Sequence, residues 1–88
     1  MAKFDNSAEM GKKLIFKFIK ERMEEKKISE FELANIIGVP RSTLNRNFKG
    51  ETEMAFSTVL KICGALELRP FFIPSEIDKT EFQRVFFS

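Results

Sequence analysis

The stretch Ser29-Glu30-Phe31-Glu32-Leu33-Ala34-Asn35-Ile36-Ile37-Gly38-Val39-Pro40-Arg41-Ser42-Thr43-Leu44-Asn45-Arg46 decides the fold of this 88-residue chain. Ser29 and Glu32 stand in the capping-box pattern, a hydroxyl for the N3 amide and a carboxylate that reaches back to the cap. They open a short helix that carries Leu33, Ala34, Ile36 and Ile37. Gly38 ends it, because glycine enters the left-handed region without a Cβ clash. Val39-Pro40 blocks continuation, and the prediction is a second short helix over about Arg41 to Lys49, stopped by Gly50. Two helices joined within three or four residues must cross steeply. Ala34 is small at the crossing, and Leu44 anchors the second helix in the core, helped by Phe48 one turn on.

Once Leu44 and Phe48 face inward, Ser42, Asn45, Arg46 and Lys49 form one outward stripe, with Arg41 at its N-terminal end. Between Gly38 and Gly50 there are three positive charges and no negative ones. Arginine matches guanine O6/N7 with two donors, and asparagine matches adenine N6/N7. A plain solvated face has the same composition, so the stripe alone does not separate the two readings.

Working outward, Met10, Leu14, Ile15, Phe18, Ile19 and Met23 recur at helical spacing from about Ser7 to Lys26. A fourth helix is predicted from about Phe56 to Leu66, with Phe56, Val59, Leu60, Cys63 and Leu66 as its apolar stripe. Cys63 reads there as small packing, since a redox sensor needs exposure and basic neighbours. Beyond Leu66, Leu68-Arg69-Pro70-Phe71-Phe72-Ile73-Pro74 excludes a continuous helix and reads as a short edge strand. Phe82, Val85 and Phe86 then have the spacing of a terminal helical turn. The fold class is therefore mainly α, about four helices with a short C-terminal strand. Residues 1–68 read as the helix-turn-helix part and 69–88 as an extension of the same compact unit.

Composition limits the chemistry. The chain has no histidine and one cysteine, which removes His-based catalysis, a His-ligated zinc, a Cys-cluster metal site and a disulfide framework. No enzyme, metal or cofactor is expected. No apolar run approaches the roughly 18 residues of a membrane span. Met1 to Asp5 lacks the apolar core of a signal peptide, so the expected location is cytoplasmic. The net charge of +2 is uninformative as a total. It averages eight basic and five acidic residues in 1–27 against one and three in 51–68.

The order "GVPRSTLNR" followed by Lys49-Gly50 and "TVLKICGAL" (Thr58 to Leu66) resembles the phage-repressor/Cro-like (Xre-type) helix-turn-helix family over roughly residues 12–68. The resemblance implies a small helical bundle whose second motif helix lies in the DNA major groove. It implies base-facing Arg41, Ser42, Asn45 and Arg46, and phosphate-facing Thr43, Lys49 and Thr52. Ser29, Glu32, Leu33, Ala34, Gly38, Leu44 and Phe48 carry the motif's structure. Four residues depart from the family pattern. Glu30 stands at a usual glutamine, Pro40 at a usual Ser/Thr cap, Asn47 at a usual apolar position and Glu67 at a usual glycine.

A lone strand must pair with something, and the simplest partner is the same strand of a second copy. The alternatives are the Lys3-Phe4 segment or the tail folding back. Five of the eleven phenylalanines lie in the last 18 residues. Phe71, Phe72, Ile73, Phe82, Val85 and Phe86 are accordingly the expected dimer interface. Two recognition helices about 34 Å apart would read an inverted repeat. The expected function is a sequence-specific, homodimeric regulator of transcription, a repressor on a palindromic double-stranded DNA operator. The alternatives are an antitoxin that binds DNA and a toxin protein, and an interaction module that keeps the fold without binding DNA.

Overall fold

A computed structural model describes residues 2–74. Ile19–Pro70 form one compact unit, and the other described residues, 2–18 and 71–74, belong to a second. Among the described residues there are four helices: α1 (Asp5–Lys26), α2 (Glu30–Ile37), α3 (Arg41–Lys49) and α4 (Phe56–Ala65). No helix among them is long and apolar enough to cross a membrane.

The helices end where local chemistry ends them. Ser29 Oγ accepts the Glu32 N–H, and the Ser29 N–H donates to Glu32 Oε1, so both halves of the capping box are made. The N–H groups of Gly38 and Val39 both donate to the Ala34 carbonyl, at 2.9 and 3.0 Å, which closes α2. Gly38 (φ 74°) and Gly50 (φ 81°) occupy the left-handed region at the ends of α2 and α3. Lys27 (φ 56°) and Glu67 (φ 57°) do the same after α1 and α4. At each of these two ends the next residue reaches back five positions, Ile28 N–H to the Met23 carbonyl and Leu68 N–H to the Cys63 carbonyl. Glu67 thus takes the conformation expected of the glycine it replaces.

The buried apolar residues of the described chain all lie within the Ile19–Pro70 unit: Ile19, Met23, Leu33, Ala34, Ile37, Leu44, Ile62 and Leu66. Leu33 and Ala34 are a large and a small buried residue of α2, which packs against α3, where Leu44 is buried. Polar links tie α1 to the end of α4. Arg22 Nε donates to the Leu66 carbonyl at 2.9 Å, placing a cation where the helix dipole is negative. Lys26 pairs with Glu67 and holds its carboxyl below the usual carboxylate range. The contribution of that pair is present at neutral pH and is lost as pH falls through Glu67's folded-state pKa.

Three sequence expectations differ from this structure. On α4 the buried residue is Ile62, with Leu66 buried just past its end as expected, whereas Phe56 and Leu60 are exposed. Both sides of α4 are apolar, so periodicity could not choose the inward one. On α1, Ile19 and Met23 are buried but Met10, Ile15 and Phe18 are exposed. Leu68 to Ile73 form no strand; residues 68–74 adopt no regular structure. Pro70 and Pro74 have no N–H to give a ladder, and among the described residues there is no strand to pair with. The terminal turn expected around Phe82, Val85 and Phe86 lies outside the described residues.

A left-handed conformation costs a non-glycine residue about 1–2 kcal/mol. Lys27→Gly is therefore expected to raise the free energy of unfolding by about 1 kcal/mol, read as a higher urea midpoint. A lower midpoint would show that the lysine side chain contributes more than the backbone conformation costs.

Candidate nucleic-acid interface

The interface is built on α3. Leu44 is fully buried and Phe48 half-buried, which fixes the helix about its axis. Ser42, Arg46 and Lys49 are then exposed together at i, i+4 and i+7, with Arg41 exposed at the start of the helix. Phe48 is also held from outside, with the Lys20 ammonium 5.4 Å from its ring centroid. α3 has basic residues in its last turn and no acid in its first. Its N-cap, Pro40, makes no side-chain cap bond.

The other expected contact residues fall less uniformly. Thr43 is half-buried at the edge of the helix. Asn45 is half-buried and not free: its Nδ2 donates to Glu30 Oε1 at 2.9 Å, across from α3 to the first residue of α2. Asn45 therefore sits on the flank of the stripe that faces α2, and the exposed centre consists of Ser42, Arg46 and Lys49. Thr52 is exposed in the loop after α3, and its Oγ1 accepts from Asn47 Nδ2 at 2.8 Å. That bond uses Thr52 Oγ1 as an acceptor and leaves its hydroxyl hydrogen available to donate.

Asn47 is only 5% exposed, a buried amide at a position where the pattern calls for an apolar residue. Besides the Thr52 hydroxyl, its Nδ2 reaches the carbonyls of Thr52 (3.4 Å) and Glu53 (3.3 Å). One side chain thus holds the loop that leads from α3 to α4. Its polarity in an otherwise apolar register was the available signal.

Phe31 was not singled out by the sequence as part of this surface. It is exposed on α2, and the Arg41 guanidinium lies 5.9 Å from its ring centroid. Such a cation–π contact is worth about 0.5–1 kcal/mol at an exposed site. It limits the directions in which Arg41 can extend. The available signal was a large apolar residue off the inward face defined by Leu33, Ala34 and Ile37. Cys63 is half-buried, and burial pushes its thiol pKa up, away from the reactive thiolate. No group of three or more metal-ligating residues is found among the described residues.

Two short helices joined through Gly38, the second exposing a basic polar face, make this a helix-turn-helix protein. Comparison with family models matches residues 18–71, well over half of the 88, to the Cro/C1-type HTH DNA-binding domain. The chain belongs to that family. Comparison with curated proteins and with solved structures gave no match.

Asn47→Ala removes the shared donor from the carbonyls of Thr52 and Glu53 and from the Thr52 hydroxyl. The expected loss is about 1–3 kcal/mol of stability by chemical denaturation. An unchanged midpoint would mean that water replaces the amide at no cost.

Proposed function

We propose that the protein is a sequence-specific regulator of transcription, a homodimeric repressor that reads a palindromic operator through the major groove with α3. The observation that carries this reading is the exposed face of α3, Ser42, Arg46 and Lys49 with Arg41, in a domain of the Cro/C1-type DNA-binding family. Arg41 and Arg46 supply two-donor forks for guanine, Ser42 a short adaptable contact, and Lys49 and Thr52 phosphate contacts. The task is recognition rather than catalysis, and the expected setting is the cytoplasm.

The homodimer is supported by exposed apolar surface. Phe71 and Phe72 are 75% and 94% exposed, with Ile73 beside them. Packing of this segment against its copy across a two-fold axis would cover these rings. Reading two half-sites one helical turn apart needs such a two-fold assembly.

A second reading, an interaction module without DNA binding, draws support from Glu30. A carboxylate beside the recognition helix repels phosphate, and the family's usual glutamine would donate to it. Binding titrations decide between the two. Against a randomised duplex pool the wild type is expected to enrich one motif. Arg46→Ala should cost about 1–3 kcal/mol and relax one position, whereas Lys49→Ala should weaken all sequences alike and lower the salt slope by about one. Enrichment of no sequence would favour the interaction module.

For the assembly, sedimentation equilibrium at micromolar concentration is expected to show a dimer that Phe71→Ser with Phe72→Ser converts to monomer. A monomeric wild type, with and without DNA, would sink the two-fold model.

A further inference from the structure

We propose that Glu30 is a positioning residue that sets the side-chain amide of Asn45 for adenine. This inference rests on the DNA-binding reading above and deepens it. An asparagine amide can be turned over about its last bond, exchanging its donor and acceptor ends. Beside a glutamine or a hydroxyl, either orientation finds a hydrogen bond, because those groups both donate and accept. An ionised carboxylate only accepts. With Glu30 Oε1 2.9 Å from Nδ2, one orientation is bonded and the other would set two acceptors against each other.

The orientation decides what the groove meets. One N–H is given to Glu30, which leaves the second N–H and Oδ1 as a donor–acceptor pair. Adenine presents the complement, N7 as acceptor and the N6 amino group as donor, whereas guanine presents two acceptors. The same bond joins the first residue of α2 to the middle of α3, and both side chains are half-buried. Asn45 is thus restrained in place as well as in orientation. The departure from the family's glutamine gives up a phosphate donor in exchange for a defined base-reading edge.

The test is selection from a randomised duplex pool with wild type, Glu30→Gln, Asn45→Ala and the double variant, each checked for an unchanged thermal melt. Wild type is expected to enrich adenine at one position of each half-site, and Asn45→Ala to abolish that preference alone. Glu30→Gln, nearly isosteric and able to donate, should reduce the adenine preference about tenfold at the same position and leave the others intact. The double variant should match Asn45→Ala there. If Glu30→Gln tightens binding to every sequence and keeps the adenine preference, Glu30 acts only on phosphate and the proposal is overturned. A wild-type motif that Asn45→Ala leaves unchanged overturns it too, with DNA binding still standing. A wild type that enriches nothing removes the DNA-binding reading and this proposal together.

Discussion

The carbonyl of Ala34 takes the N–H of Gly38 and of Val39, and the rest of the motif depends on that reversal. It ends α2 within one residue of its last buried side chain, Ile37, and leaves only Gly38, Val39 and Pro40 before α3 begins. A link that short fixes the angle at which α3 leaves. α3 packs against α2 with Leu44, Leu33 and Ala34 all buried, and the opposite side of α3 is left to solvent. The exposed basic stripe is a by-product of how the turn and one leucine position the helix.

A chain of this size buries only about 60–65% of its unfolded surface, so the margin for a functional polar surface is small. Polar groups in the Ile19–Pro70 unit compensate by closing connections. Arg22 caps the end of α4, Lys26 meets Glu67 beside it, and Asn47 ties the loop after α3. Two helices end in charged residues held left-handed, Lys27 and Glu67. The strain is local, and Glu67 also pairs with Lys26.

The surface chemistry combines charge with restraint. A net charge of +2 gives little non-specific attraction to a polyanion, whose binding scales with the phosphates neutralised. What α3 and the loop after it offer instead is order: Arg41 near the Phe31 ring, Asn45 bonded to Glu30, and the Thr52 hydroxyl bonded to Asn47. Each contact restricts a side chain that would otherwise be free to rotate.

The four helices and most of their limits were legible in local sequence, with α1 starting at Asp5 rather than about Ser7. The predicted span of α3 coincides with the observed Arg41–Lys49, and α2 lies between its capping box and Gly38. These signals act over three or four residues, so no distant partner is needed to read them. Tertiary structure decided the rest. α4 turned Ile62 inward rather than Phe56 and Leu60, because two apolar sides compete and only packing chooses. Residues 68–74 took no strand form, because a ladder needs a neighbour that the segment does not encode. Asn45 was legible as an outward polar residue, but its bond to Glu30 crosses fifteen positions of sequence. Such a contact exists only once the turn at Gly38 has brought two helices together, and no local pattern records it.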